Sequence, residues 1–120
     1  MRAVLVPVDF SPRLISGVAE AAASAFAEQL ARAQSAPVTL VLARAPRLLD
    51  GLATDVQFFH QLAGGEKSPW EILLYPELPE AGAEIAGIFE RQCDRLAVLA
   101  ALAERRENNA EPPLVIVTTL

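Results

Sequence analysis

The residues with the clearest chemical potential lie between Arg13 and Ser35, where Leu14-Ile15-Ser16 runs into Gly17 and then into an Ala-rich stretch. A phosphate loop has the form G-x-x-x-x-G-K-[ST]. Its glycines let backbone N–H groups wrap a phosphate, its lysine supplies charge and its hydroxyl holds Mg²⁺. Aligned from Gly17, that pattern places Ala22 at the second glycine, Ala23 at the lysine and Ser24 at the hydroxyl. Only the outer positions match. Alanine at the second glycine resists a positive φ, and without the lysine the β- and γ-phosphates lose their main counter-charge. The reading is a phosphate-loop scaffold that has lost its nucleotide, set against an ordinary Ala-rich helix after a glycine turn. No cofactor is expected, and no catalytic residue.

Other candidates are sparser. Ser16-Gly17 lacks the G-x-S-x-G elbow, and His60, the one histidine, has no evident triad partner. Neither His60 nor the single cysteine, Cys93, stands at ligand spacing, so no metal site is expected. His60 beside Phe58-Phe59 reads as a surface or packing residue, and Cys93 as a free structural thiol. Glu77, Glu80 and Glu84 follow a strand at the edge where open parallel sheets bind ligands, although acidic residues also suit a helix start. Three residues are candidates for a partner surface. Trp70 reads as an aromatic anchor or as packing at the start of its strand, and Arg91 and Arg95 stand one helical turn apart.

The elements that must position these residues follow from periodicity and punctuation. Residues 3 to 8 read as an edge strand or extended arm because Pro7 removes a ladder donor, and Leu14-Ile15-Ser16 reads as a very short strand. A helix is expected from about Val18 to Gln34, burying Val18, Ala22, Phe26 and Leu30 and exposing Glu20, Glu28 and Arg32. Val38 to Ala43 reads as a strand buried on both faces. A helix opening at Pro46 then runs to about Leu62 with Leu49, Leu52, Val56 and Phe59 inward, ended by Gly64-Gly65. Glu71 to Tyr75 is a further strand. The last helix, Ala83 to Arg106, is expected to bury Ile85, Phe89, Leu96, Leu99 and Ala103 and to expose Arg91, Asp94, Arg95, Glu104 and Arg105 before a final strand, Leu114 to Thr118. Alternation of this kind predicts an α/β domain, a three-layer parallel sheet with helices on both faces.

Size and charge bound the function. One domain is expected of 120 residues, with a core large enough to hold the fold. No apolar run approaches the length of a membrane span and no signal segment opens the chain, so a cytoplasmic, membrane-free protein is expected. A net charge of −5 argues against direct nucleic-acid binding by this segment. The chain stops directly after a buried-type strand, which suggests a piece of a larger multidomain protein.

Taken in order, Leu14-Ile15-Ser16-Gly17 with its Ala-rich helix, Pro37-Val38 to Ala43, Leu49 to Phe59 ending in Phe58-Phe59, Tyr75-Pro76-Glu77, Asp94-Arg95-Leu96-x-x-Leu99-x-x-Leu102 and Val115-Ile116-Val117-Thr118-Thr119 resemble the N-terminal module of bacterial transcription-repair coupling factors. The resemblance spans nearly the whole chain. It departs after Tyr75-Pro76-Glu77, where Leu78-Pro79-Glu80-Ala81-Gly82 replaces the family's acidic-aromatic stretch. It implies a degenerate P-loop NTPase or helicase-like fold related to the excision-repair subunit UvrB, with Ala22 and Ala23 where UvrB-like proteins carry Gly and Lys. It further implies a non-catalytic module within an ATP-dependent DNA translocase, supporting recruitment of UvrA and displacement of stalled RNA polymerase and contacting other domains of the same protein. The alternative from the residues is a small α/β domain that binds a nucleotide or another phosphorylated ligand.

Overall fold

Three β-rich runs form one parallel sheet in a computed structural model that describes residues 22–34, 36–78, 84–108 and 112–119. In chain order the elements are α1 (Ala23–Gln34), β1 (Val38–Ala43), a 3₁₀ turn (Pro46–Leu48) leading into α2 (Leu49–Leu62), β2 (Glu71–Tyr75), α3 (Ile85–Asn108) and β3 (Leu114–Thr119). The expected strands at residues 3 to 8 and 14 to 16, and the start of the first helix, lie outside the described residues.

The sheet order is β1-β3-β2 with all pairs parallel. Val38 and Glu71 both align with Leu114, and Val41 and Leu74 both align with Val117. The chain therefore steps from β1 past the site of β3 to β2, then returns to fill the middle. Two crossovers of one hand that travel in opposite directions place their helices on opposite faces. The cores show this arrangement. Val115 and Val117 pack with Leu49 of α2 on one face, and Leu114 and Ile116 pack with Val98 and Ala101 of α3 on the other. This is the expected pattern of helices on both faces of a parallel sheet. α1 packs on α2 rather than directly on the sheet.

Among the described strands only β3 is buried on both faces, as an uninterrupted Leu-Val-Ile-Val run in a central parallel strand should be. β1 corrects its expectation. It is an edge strand among the described residues, with Thr39, Val41 and Ala43 turned inward and Val38, Leu40 and Leu42 exposed. Its apolar residues alternate in register with those of β3, but α3 covers β2 and β3 and stops short of β1.

The helix faces also need correction. In α3 the expected inner residues Ile85, Phe89, Leu96, Leu99 and Ala103 are all exposed, and Val98, Ala101 and Arg105 are buried instead. Two apolar stripes run along this helix, and the sheet takes the one with the smaller side chains. In α1, Glu28 is buried rather than solvent-facing and Phe26 and Leu30 are half-buried, and Ala22, just before the helix, is exposed. α2 follows its expected stripe more closely, with Leu49 and Val56 buried and Leu52 and Phe59 half-buried.

Ends and joints have local causes. Pro46 opens the 3₁₀ turn, where its fixed φ fits and its missing N–H costs nothing. Gly64 closes α2 with φ +93, a conformation that strains any residue with a Cβ. Arg105 secures the C-terminal part of α3. Its Nη2 donates to Glu71 Oε2 at 2.8 Å, its Nε to the Pro112 carbonyl at 2.9 Å and its Nη1 to the Ala101 carbonyl at 3.1 Å. The expectation that Arg105 faces solvent is overturned because this guanidinium holds together three segments whose backbone carbonyls and carboxylate converge on it. No helix among the described residues is long and apolar enough to cross a membrane.

Candidate functional site

Parallel strands bring their carboxyl ends to one edge of a sheet, where connecting loops can hold a ligand. Here the start of α1 reaches that edge. Ala23 and Ser24 line an open cleft of about 520 Å³ together with Leu42, Ala43, Arg44 and Arg47. The positions that align with the end of a phosphate loop thus lie at a helix start beside a strand's carboxyl end. Ala22 stands exposed just before α1, and Gly17 lies outside the described residues. Ser24 is buried. Arg44 and Arg47 bring positive charge to this cleft and Asp55, also in its lining, opposes it.

The neighbouring part of the edge is built by the loop after β2. Thr119 Oγ1 donates to Glu77 Oε1 at 2.7 Å, and Thr118 Oγ1 donates to the Tyr75 carbonyl at 2.7 Å, so the last turn of β3 fixes the exit of β2. Arg91 Nη1 donates to the Glu77 carbonyl at 3.3 Å, and the Arg95 guanidinium lies 4.5 Å from the centre of the Tyr75 ring, a cation–π contact. The two candidate partner arginines therefore bind α3 to the β2 exit, Arg91 remaining exposed and Arg95 half-buried. Of the three acidic candidates, Glu77 is engaged by Thr119, Glu84 is exposed and Glu80 lies outside the described residues. Arg47, Asp50, Pro76, Glu77, Arg91 and Asp94 surround a second cleft of about 500 Å³, with charges of both signs.

A polar cluster that the sequence reading missed joins α1, α2 and the loop before β2. Glu28 is 2% exposed and His60 is 3% exposed. Glu28 Oε1 lies 3.2 Å from His60 Nδ1 and accepts from Arg32 Nε at 3.0 Å, while Glu28 Oε2 accepts from Arg32 Nη2 at 3.3 Å. His60 Nε2 lies 2.7 Å from the Ser68 carbonyl, an acceptor, so this nitrogen carries the donating hydrogen. Trp70 stacks on the His60 ring at 3.6 Å with 12° between planes. Both ring nitrogens are engaged and one face of the ring is stacked, so the imidazole acts as a joint between α1, α2 and the loop before β2, at the wall of a cleft of about 430 Å³ that Arg32, Gly64, Gly65 and Trp70 also line. Trp70, half-buried, takes the packing role at the start of β2. One signal was present in the sequence: Gly65, whose Cβ would lie 2.5 Å from His60 Cδ2, marks a close approach that only glycine permits.

Cys93 is exposed on α3, and among the described residues no group of three metal-binding side chains converges. Comparison of the chain with protein-family models, with curated proteins and with solved structures finds no match.

Proposed function

We propose that this chain is a non-catalytic α/β scaffold, a degenerate P-loop domain that works through its surfaces and not through nucleotide chemistry. The observation that carries the reading is the start of α1. Ala23 and Ser24 line a cleft at the carboxyl edge of a parallel sheet, and the phosphate-loop pattern aligned from Gly17 sets Ala23 at the lysine and Ser24 at the hydroxyl, which supports a loop without its counter-charge. In its narrower form the proposal is the one that the sequence resemblance implies. The domain is the N-terminal module of a transcription-repair coupling factor, supporting UvrA recruitment and interdomain contacts in nucleotide excision repair while the parent protein's motor consumes ATP elsewhere.

One feature favours a second reading, a phosphorylated ligand held at this edge: Arg44 and Arg47 line the same cleft as Ser24. Thermal melting with and without MgATP separates the two. A scaffold without nucleotide keeps its melting temperature at millimolar MgATP. A saturable, Mg²⁺-dependent rise supports the phospholigand reading and overturns the first, since a ligand that binds only the folded state must stabilise it.

A further inference from the structure

The side of the sheet covered by α3 carries two apolar surfaces that nothing in the described chain covers. One is a strip of sheet without a helix. Val38, Leu40 and Leu42 share a face with Leu114, Ile116 and Thr118 by register, yet they are 36–58% exposed because α3 lies over β2 and β3. The other is a helix stripe without a sheet. Ile85, Phe89, Leu96 and Leu99 are 52–85% exposed, on a helix whose opposite face already buries Val98 and Ala101 against the sheet. The spacings of four, seven and three place them on one continuous stripe, and the exposed Ala86, Cys93, Ala100 and Ala103 extend it without adding a charge. A helix apolar on two sides belongs in an interior.

We propose that a second copy of this chain covers both surfaces at once, in a two-fold dimer that lays the outer stripe of α3 on the bare β1 face of the partner. The two surfaces are complementary in kind. A foreign helix seated on β1 leaves the α3 stripe in water, and a foreign sheet on α3 leaves β1 bare. A second copy supplies one of each, and a two-fold axis makes both contacts together. The areas agree with this arrangement. At about 200 Å² for each large apolar residue, the aromatic figure taken as an upper value, the seven exposures amount to roughly 800 Å² per copy, which is what a stable protein–protein interface buries on each side. The dimer stacks sheet, paired α3 helices and second sheet, so that each α3 becomes an interior helix. The inference stands on these two surfaces and does not depend on the repair reading.

Sedimentation equilibrium of the 120-residue chain tests it. At about 100 µM, above the weakest dissociation constants expected for this area, the chain sediments with twice its monomer mass. Leu40→Glu and Leu96→Glu each place a charge on one half of the contact, and each variant sediments as a monomer with an unchanged circular dichroism spectrum. Leu62→Glu, at an exposed position on α2 away from both surfaces, stays dimeric. A monomeric parent chain overturns the proposal, and so does a dimer that survives either Leu40→Glu or Leu96→Glu. The Cys93 thiol gives a second readout because it sits one turn from both Phe89 and Leu96. Its labelling rate falls as chain concentration rises through the dimerisation range, and a rate independent of concentration contradicts the dimer.

Discussion

Oε1 of Glu28 lies 3.2 Å from Nδ1 of His60, joining two nearly sealed side chains that stand 32 residues apart on α1 and α2. The same carboxylate oxygen accepts from Arg32 Nε at 3.0 Å, and the imidazole is held from its other nitrogen by the Ser68 carbonyl. α1 makes its main contacts with α2 and few with the sheet, so this polar joint has a large share in fixing its position. The start of α1 in turn forms the wall of the carboxyl-edge cleft.

Removing the carboxylate takes away the oxygen that faces His60 Nδ1 and both oxygens that accept from Arg32. Glu28→Ala is expected to cost about 1–3 kcal/mol, the range for leaving a buried polar group without its hydrogen-bond partner. Glu28→Gln, which keeps the shape and one acceptor, should cost less. Urea denaturation of both variants checks this; equal and small losses would show that the joint contributes little.

Arg105 makes its three hydrogen bonds through a planar fork, so a lysine cannot replace it. Arg105→Lys is expected to lose about 1–2 kcal/mol, the range for losing charge-assisted bonds to partly buried acceptors. Glu71→Ala should cost less, because its side chain is 40% exposed and the arginine keeps two carbonyl acceptors. A fully stable Arg105→Lys chain would argue that the clamp is incidental.

Two glycine substitutions should move stability in opposite directions. A Cβ on Gly65 meets His60 Cδ2 at 2.5 Å and the His60 carbonyl oxygen at 2.7 Å, and the latter is backbone that cannot swing away. Gly65→Ala is therefore expected to destabilise by about 1–3 kcal/mol, as overpacking does. Gly51 sits inside α2 with no atom within 4 Å of a built Cβ, so Gly51→Ala should stabilise by about 0.5–1 kcal/mol through helix propensity. Differential scanning calorimetry of the pair reads both signs.

Element positions were legible in the sequence where apolar runs met proline or glycine. β1 and β2 have the expected bounds, β3 runs one residue past its expected end to Thr119, and Pro46 and Gly64 open and close the second helical segment as expected. What could not be read was the choice between equivalent surfaces. α3 carries two apolar stripes, and periodicity alone cannot say that Val98 and Ala101 face the sheet while Phe89 and Leu96 do not. The solvation of β1 depends on how far α3 extends across the sheet, which is a tertiary property absent from Val-Thr-Leu-Val-Leu-Ala. Glu28 read as a surface residue because its partner, His60, lies in another helix. In the candidate site, the pattern alignment puts Ser24 at the hydroxyl position, but the helix is expected from Val18, so neither the place of Ser24 at the start of α1 nor the approach of Arg44 and Arg47 to the same cleft is legible without the fold. A test of the α3 reading is direct: Val98→Ala should cost stability, and Leu96→Ala should cost little within a monomer.

The central claim is that this domain serves repair as a scaffold, and the most direct measurement is strand-specific repair after ultraviolet irradiation in the cell that encodes it. The 120 codons are deleted, in frame with any coding sequence that follows, and lesion removal from transcribed and non-transcribed strands is followed. The account predicts that the transcribed strand loses its faster repair and the other strand is unaffected. Retention of full strand preference without the domain would contradict it.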